Sequence, residues 1–235
     1  MISKFKNLLS LYKKKLKFKK ISYSLNAVDL IIDYAFKSKK KGIYLDVGAQ
    51  NPISNNNTYL LFKRGWSGIN IDLDSKNIDL FNLARPDDIN LNYAISSSED
   101  LRDLYFYHDK SPLNTLNQFV SNFQKAKIKE IKKQQTITLN KLLKKIDFHE
   151  KIDYMNVDVE GHEYDVFLGF DLIKYKPSII SVEYLDLKMK QLEFRNNDVN
   201  RILNSDLYKF LADNNYFLVN WLHGDLIFVN REFRD

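Results

Sequence analysis

The chain has 235 residues, no cysteine and a formal net charge of +6, and 44% of its residues are hydrophobic. This length fits one domain with one sizeable core, and the lack of cysteine excludes disulfides, thiolate metal sites and cysteine nucleophiles. No apolar run approaches the roughly 18 residues that cross a bilayer, and the N-terminus has no secretory signal pattern, so we expect a cytoplasmic protein.

The positive charge is concentrated in residues 1–20, which hold eight lysines and no acid. Without these eight charges, the other 215 residues have a net charge of about −2. Apolar residues recur near helical spacing among the lysines, at Ile2, Phe5, Leu8, Leu9, Tyr12 and Leu16. We therefore predict a basic amphipathic segment at 1–22, followed by a domain at 23–235. The segment fits a helix packed loosely on the domain, a frayed terminus, or peripheral contact with the inner face of an anionic membrane.

Extended and helical patterns alternate along the rest of the chain. β-Branched and aromatic runs predict strands at Ile43–Val47, Gly68–Asp72, Ile89–Ile95, Asp153–Asp158 and Pro177–Glu183. Helical spacing predicts helices at Asn57–Arg64, Ser75–Ala84, Glu163–Gly169 and Val199–Asn214. We expect Gly65 to end the first of these helices and Ser75 to cap the second.

Two regions depart from this alternation. Tyr105–Tyr107 and Thr136–Leu139 are short extended candidates, and the lysine-rich stretch 125–133 between them is interpreted as a solvated helix face. Tyr216–Leu222 and Leu226–Asn230 predict a closing β-hairpin. Because parallel neighbours need crossover connections, we predict an α/β fold with a mostly parallel seven-stranded sheet, helices on both faces and a C-terminal antiparallel hairpin.

The seven glycines limit the kinds of cofactor that the chain can bind. None of them forms the G-x-G-x-x-G or G-x-x-x-x-G-K-[ST] pattern that holds a pyrophosphate or a triphosphate. This weakens the dehydrogenase and NTPase interpretations. S-adenosylmethionine has no phosphate, so a loop that binds it needs fewer glycines than a phosphate-binding loop.

Acids lie at the ends of the first two strands, where such a cofactor would need them. Asp46 lies near the end of the first strand and Gly48 directly after it, where a small residue admits a ligand and a carboxylate can organise the loop or bind an ammonium group. Asp72 ends the second strand, where a carboxylate can accept both ribose hydroxyls. The alternatives are a loop-stabilising acid at Asp46 and a helix cap at Asp72, shared with Asp74 and Ser75.

Five motifs occur in the order of one known family. They are DVGA at 46–49, GWSGINID at 65–72, RPDDINLNYAIS at 85–96, TLNKLL at 138–143 and IDYMNVDVEGHEYDVFLGF at 152–170. Over roughly residues 42 to 185 the chain resembles the FkbM family of S-adenosylmethionine-dependent methyltransferases. The resemblance implies a Rossmann-like class I methyltransferase fold and O-methyl transfer, often to sugars of polysaccharides or of natural products.

The resemblance also extends the set of candidate cofactor-binding residues. The set consists of Asp46, Gly48, Ala49, Asn51, Asp72, Leu73, Asn92, Tyr93 and Ala94. The family's first motif commonly runs D-V-G-A-N-x-G, whereas Gln50 and Pro52 here replace the asparagine and the second glycine. A proline followed by asparagines still makes a stiff turn, which would surround the methionine end of the cofactor.

The DVEGHE motif gathers groups that could act on a hydroxyl. Methyl transfer requires the acceptor oxygen to lie in line with the methyl group and to lose its proton. Asp158, Glu160 and His162 are the catalytic candidates, with Asp158 or His162 taking the proton. Alternatively, Asp158 and Glu183, at the ends of adjacent strands, hold a Mg²⁺-like cation. In a third interpretation, Glu160 and Glu163 only favour a helix N-terminus and His162 lies on the surface.

We predict an S-adenosylmethionine-dependent O-methyltransferase that acts on a sugar hydroxyl in a polysaccharide or glycoconjugate. One alternative is methylation of a small natural product or lipid. Another is a non-catalytic Rossmann-like protein, attached to a membrane or to nucleic acid through its basic N-terminus. Nucleic acid is the less favoured partner, because enzymes that methylate it carry basic surfaces across the body, and this body is slightly acidic.

Overall fold

A computed structural model of the chain describes residues 2–123, 127–185 and 198–234. The strands in this part of the chain are β1 (Ile43–Val47), β2 (Ser67–Asp72), β3 (Ile89–Asn92), β4 (Ala94–Ile95), β5 (Leu101–Phe106), β6 (Glu130–Ile137), β7 (Tyr154–Val157), β8 (Ile179–Glu183), β9 (Tyr216–Leu222) and β10 (Asp225–Asn230). The helices are α1 (Ile2–Phe18), α2 (Val28–Ala35), α3 (Tyr59–Lys63), α4 (Ser75–Ala84), α5 (Gln118–Phe123), α6 (Leu139–Lys145), α7 (Glu163–Leu168), α8 (Leu172–Tyr175), α9 (Val199–Leu203), α10 (Asp206–Asp213) and α11 (Arg231–Arg234).

Seven strands form one sheet in the order β3–β2–β1–β7–β8–β10–β9. The first five are parallel neighbours, and β10 runs antiparallel to both β8 and β9. The predicted fold class is therefore confirmed, including the C-terminal antiparallel hairpin. Because the five strands are parallel, the ends of β1, β2, β7 and β8 meet at one edge of the sheet.

Alternate residues of the central strands belong to two apolar cores, one on each face of the sheet. Leu45 and Met155 belong to one core, while their chain neighbours Tyr44 and Tyr154 belong to the other. Helix α2 covers the second core, and α7 and α10 cover the first. Burial on both faces explains why β1 and β7 are apolar apart from Asp46 and Asn156, and why both strands were predictable from the sequence.

A second sheet has the order β4–β6–β5 and corrects two predictions. The strand predicted at Ile89–Ile95 is two strands, because the chain leaves the main sheet at Tyr93 and enters the second sheet as β4. The helix interpretation of 125–133 is wrong for 130–133, which lie in β6 and pair with β5. Residues 125 and 126 of that stretch lie outside the described residues. Pairing between distant strands leaves no local pattern in the sequence.

The ends of the predicted helices are corrected by capping side chains. Helix α4 is capped by Asp74, whose side chain accepts a hydrogen bond from the helix backbone at 2.9 Å, and not by Ser75. The helix predicted at Val199–Asn214 is split, because Ser205 has an extended backbone and caps α10. Gly65 follows α3 with a φ of +86°, as predicted for a glycine that ends a helix.

The N-terminal segment forms helix α1, whose described apolar side chains are exposed. The exposed fractions are 62% for Phe5, 52% for Leu8 and 46% for Leu9. Within the described residues, no helix has both the length and the apolar character needed to span a membrane.

Candidate active site

The ends of β1, β2, β7 and β8 open into a cleft with a volume of about 290 Å³. Ligands of open α/β sheets bind at this edge. The wall of the cleft also includes the turn between β9 and β10, residues 24–26 ahead of α2, and part of segment 111–116 after β5. Tertiary folding brings these three segments to the cleft.

Asp46 is fully buried beneath the loop that follows β1. Its Oδ2 accepts hydrogen bonds from Asn56 Nδ2 at 3.1 Å and Thr58 Oγ1 at 2.8 Å, and its Oδ1 accepts one from Asn156 Nδ2 at 2.9 Å. Burial raises the pKa of Asp46, and these hydrogen bonds oppose the rise. Asp46 therefore organises the loop, which is the alternative left open by the sequence, and it also lines the cleft.

Gly48 lets the loop after β1 pack against the end of β7. Its φ is +82°, and a Cβ at this position would lie 1.7 Å from the carbonyl oxygen of Asp158. Both the backbone conformation and the close contact require glycine.

Asp72, at the end of β2, accepts hydrogen bonds on both carboxylate oxygens. Oδ2 accepts from the backbone N–H of Gln50 at 2.9 Å, and Oδ1 accepts from the backbone N–H of Asp74 at 2.8 Å and from Asn77 Nδ2 at 3.1 Å. Burial raises the pKa of Asp72 to about 6. This carboxylate joins the loops after β1 and β2 at the wall of the cleft.

Seven of the nine predicted cofactor residues line the cleft: Asp46, Gly48, Ala49, Asp72, Leu73, Tyr93 and Ala94. Asn51 and Asn92 are not among the lining residues. Asn51 Oδ1 accepts hydrogen bonds from the backbone of Ile53 and Ser54, and Asn92 Nδ2 donates to the carbonyl of Asp72. Both side chains shape loops, because short polar side chains readily bond to nearby backbone. Their contact with a cofactor stays a prediction.

Asn77 is a lining residue that sequence analysis missed. It lies in the first turn of α4, three residues after the Asp74 cap, and it donates to Asp72. Its Oδ1 is buried and has no hydrogen-bond partner among the described residues. The sequence did carry one signal for it. Asn77 comes three residues after Asp74, an acid that can cap a helix directly after the end of β2.

The DVEGHE loop between β7 and α7 is held from inside by Glu163. This side chain is buried, and its Oε1 accepts hydrogen bonds from the backbone N–H groups of Val159 at 3.0 Å and Gly161 at 2.9 Å. Burial raises the pKa of Glu163 to about 7. Its main contacts are therefore with the loop, which goes beyond the predicted interaction with the helix N-terminus.

His162 lines the cleft and is only 6% exposed, so the interpretation that it lies on the surface is wrong. Its Nε2 lies 3.0 Å from Ser96 Oγ, and its Nδ1 lies 3.6 Å from the Asp165 carboxylate. Burial lowers the pKa of His162, so the ring is neutral at pH 7. Because both ring nitrogens face protein groups, we expect this ring to orient the loop.

Three carboxylates converge where β7 and β8 end. One oxygen from each of Asp158, Glu160 and Glu183 lies within 4.8 Å of the other two. Burial, reinforced by repulsion within the group, raises the pKa of Asp158 and of Glu183 well above the usual range. Glu183 Oε2 is buried without a hydrogen-bond partner among the described residues. Such a group can accept a proton from a substrate or hold a hard cation.

Asp225 is a fourth acid beside this group, and sequence analysis interpreted its surroundings only as a hairpin turn. It pairs in register with Glu183 across β10 and β8. Its Oδ2 accepts a hydrogen bond from Asn26 Nδ2 at 2.8 Å, which attaches the segment ahead of α2 to the hairpin. The antiparallel pairing of β10 with β8, which was not part of the sequence prediction, is what brings it to the cleft.

The strand order of the main sheet is that of the Rossmann-like class I methyltransferase fold. The chain matches the methyltransferase FkbM domain over residues 46–217. It therefore belongs to the FkbM family of methyltransferases, as the sequence motifs indicated.

Two solved structures resemble this chain. One is a TehB-like S-adenosylmethionine-dependent methyltransferase from Corynebacterium glutamicum, with 9% identity and a TM-score of 0.43, and the match covers 98% of this chain and 100% of that chain. The other is a candidate S-adenosylmethionine-dependent methyltransferase from Methanococcus maripaludis, with 12% identity and a TM-score of 0.35, covering 90% and 95% respectively. The comparison with curated proteins gave no significant match.

Proposed function

We propose that the protein transfers a methyl group from S-adenosylmethionine to a hydroxyl of a sugar. The observation that supports a hydroxyl acceptor is the group of carboxylates formed by Asp158, Glu160 and Glu183. A sugar hydroxyl is a very weak acid, so a base must accept its proton during the transfer. Carboxylates with a raised pKa are stronger bases than ordinary ones, and these lie in the same cleft as the loops after β1 and β2.

The other half of the cleft fits the cofactor. Asn77 Oδ1 is a buried acceptor beside Asp72, and a ribose hydroxyl would supply the missing donor. The loop at 48–57 would surround the amino-acid end, while Tyr93 and Ala94 would contact the adenine. When bound, S-adenosylmethionine supplies an activated methyl group.

In the proposed reaction, Asp158 accepts the proton of the acceptor hydroxyl while the hydroxyl oxygen attacks the methyl carbon. The oxygen–carbon bond forms as the carbon–sulfur bond breaks, and the electron pair of the broken bond stays on sulfur. Burial and repulsion from Glu160 raise the pKa of Asp158, whereas a hydrogen bond with Glu183 opposes the rise. His162, neutral and bonded to Ser96, holds the loop on which Asp158 and Glu160 lie.

Transfer of a labelled methyl group tests this proposal. The protein would be incubated with methyl-labelled S-adenosylmethionine and, separately, with neutral polysaccharides, phenols and lipids. Label in a polysaccharide would support the proposal. Label only in a phenol or a lipid would show that the acceptor is not a sugar. Binding of S-adenosylhomocysteine without transfer to any acceptor would favour a non-catalytic binding protein.

A cation site is a second candidate role for the same carboxylates. Three oxygen ligands within 4.8 Å and the unpartnered Glu183 Oε2 favour it, since Mg²⁺ prefers carboxylate oxygens. In this role the cation would hold the acceptor oxygen and stabilise it as it loses its proton. Calorimetric titration with Mg²⁺, together with turnover in EDTA, separates the roles: no heat and unchanged turnover would discard the cation.

We also propose that α1 lies on an anionic membrane surface. The first twenty residues carry eight lysines and no acid, and Phe5, Leu8 and Leu9 on one side of α1 are exposed. Lysines attract anionic head groups while exposed apolar side chains enter the interface. Binding to nucleic acid would account for the lysines, but it would leave the exposed apolar side chains of α1 without a role.

Vesicle sedimentation tests this contact. The protein should sediment with vesicles that contain phosphatidylglycerol and stay in solution with phosphatidylcholine alone. The double variant Phe5→Ser, Leu9→Ser should lose binding, while Asn7→Ser, on an exposed polar site of the same helix, should keep it. Binding to duplex DNA in place of anionic vesicles would overturn the membrane assignment.

A further inference from the structure

Arg85 is a fully buried cation in the body of the protein. Its guanidinium donates to neutral oxygens: Nε to the carbonyl of Pro52 at 2.9 Å, Nη1 to Thr58 Oγ1 at 2.9 Å, and Nη2 to Asn56 Oδ1 at 2.8 Å. Nη2 also donates to the carbonyl of Pro52. Burial of a charge is costly unless it is fully hydrogen-bonded. Pro52, Asn56 and Thr58 lie in one stretch of chain, the loop between β1 and α3, and a longer contact of 3.5 Å joins Nη1 to the Tyr44 hydroxyl in β1.

The same loop side chains connect Arg85 to Asp46. Thr58 Oγ1 donates to Asp46 Oδ2 at 2.8 Å, and Asn56 Nδ2 donates to the same oxygen at 3.1 Å. A buried positive and a buried negative charge are therefore joined through two neutral side chains. The guanidinium opposes the rise in the pKa of Asp46 that burial causes, which favours the ionised carboxylate.

The loop needs support of this kind because its backbone is strained. Gln50 and Asn55 both have a φ of +50°, a conformation that residues other than glycine adopt at an energetic cost. Pro52 stands where the family motif commonly has its second glycine, and its carbonyl is the oxygen that accepts two Arg85 hydrogen bonds. Arg85 thus fixes the part of the loop that differs from the common motif.

We propose that Arg85 is a positioning residue that holds the loop at 48–57 in the shape that receives the methionine end of the cofactor. It acts through Pro52, Asn56 and Thr58, and it touches no substrate. This inference rests on the proposed function, because it assumes that S-adenosylmethionine binds in the cleft. The nucleoside end would lie at the other side, against Asp72 and Asn77, and Arg85 donates to neither of these side chains. The backbone N–H of Gln50 links the loop to Asp72.

Two ligands that differ only at the methionine end test the proposal. S-adenosylhomocysteine carries the amino-acid end, and 5′-methylthioadenosine keeps the nucleoside but lacks that end. In calorimetry, Arg85→Gln should weaken S-adenosylhomocysteine at least about tenfold, while 5′-methylthioadenosine should change by less than about threefold. A general loss of structure would weaken both ligands alike.

Two further variants keep the test decisive. Thr58→Val removes one bridge to Asp46 with little change in shape, and it should give the same selective loss, so it decides the question if Arg85→Gln does not fold. Arg64→Gln is the matched control, because Arg64 binds Asp33 and the carbonyls of Phe36 and Lys39, away from the cleft. Its affinity for both ligands should be unchanged.

Equal losses for the two ligands in Arg85→Gln and Thr58→Val, or no loss in either variant, would overturn the positioning role. These outcomes leave the proposed function standing, since the wild type would still bind S-adenosylhomocysteine. If the wild type binds neither ligand, the proposed function itself fails.

Discussion

Two groups of acids face the same cleft and differ in what their oxygens contact. On the side of β1 and β2, Asp46 and Asp72 together accept six hydrogen bonds from backbone and side-chain groups around them. On the side of β7 and β8, Asp158 and Glu183 face each other and Glu160, and one Glu183 oxygen is buried without a described partner.

Burial raises the pKa of carboxyls in both groups, so a raised pKa alone does not identify the base. The hydrogen-bond partners distinguish them. An acid surrounded by donors keeps its charge and shapes a loop, whereas an acid beside other acids gains from taking up a proton. The first group therefore builds the site, and the second is suited to act in it.

The largest effect is expected at the second group. Asp158→Asn removes the proposed base while keeping the size of the side chain, so the rate of methyl transfer should fall about a thousandfold. Affinity for S-adenosylhomocysteine should stay within about threefold, since this residue does not hold the cofactor loops. Single-turnover kinetics and calorimetry measure the two quantities. Asp79→Asn, on the exposed face of α4, is the control, and a rate equal to wild type in Asp158→Asn would assign the base elsewhere.

The next largest effect is expected at Glu163, whose contribution to the free energy of unfolding depends on pH. Glu163 accepts backbone hydrogen bonds as the first group does, and it lies on the loop of the second group. Its folded-state pKa of about 7 exceeds the ordinary 4.5, so protonation stabilises the fold. This contribution is complete below pH 4.5 and is lost as the pH rises through 7. Glu163→Gln keeps the acceptor oxygen and does not titrate. Between pH 4.5 and 8 its free energy of unfolding should therefore rise relative to wild type, by about 3 kcal/mol.

Urea denaturation of both proteins across this pH range measures the difference. A constant gap between wild type and Glu163→Gln would mean that Glu163 is charged throughout, and that it belongs with the fully bonded acids.

A smaller effect is expected at Asp72. Asp72→Ala removes the acceptor for the Gln50 and Asp74 amides and the proposed acceptor for a ribose hydroxyl, so affinity for S-adenosylhomocysteine should fall at least about tenfold. Asp87→Ala, on the surface after α4, is a control of the same type. Unchanged affinity in calorimetry would remove Asp72 from the cofactor site and limit the first group to a structural role.

The smallest effect separates two neighbouring residues at the start of α4. Asp74→Ala removes the helix cap and a hydrogen bond from the Lys110 backbone, and should lower the free energy of unfolding by about 1 kcal/mol. Ser75→Ala, at the position that the sequence suggested as the cap, should change it by less than about 0.5 kcal/mol. Thermal or urea unfolding measures both, and equal losses would return Ser75 to a capping role.

The sequence predicted those features that have local causes. Strand β1 is a short apolar run, α4 has helical spacing after an acid, and the DVGA and DVEGHE motifs mark the ends of β1 and β7. Features that depend on distant partners escaped prediction. Strand β6 is lysine-rich and is extended only because β5 pairs with it. Asp225 reaches the cleft only through the pairing of β10 with β8.

The roles of single side chains were the least predictable part of the site. Asp46 was expected at the cleft, but its three donors come from Asn56, Thr58 and Asn156, which no pattern connects. Arg85 lies in a motif that carried the family resemblance, and nothing in the sequence indicates that its side chain turns back to Pro52.

The short connection between α1 and the cleft limits where an acceptor could meet the enzyme. Helix α1 ends at Phe18, and Ser24 already lines the cleft. The five residues between them extend over at most about 18 Å. With α1 adsorbed on a bilayer as proposed, the cleft would remain near the head groups, within reach of an acceptor held at the membrane surface.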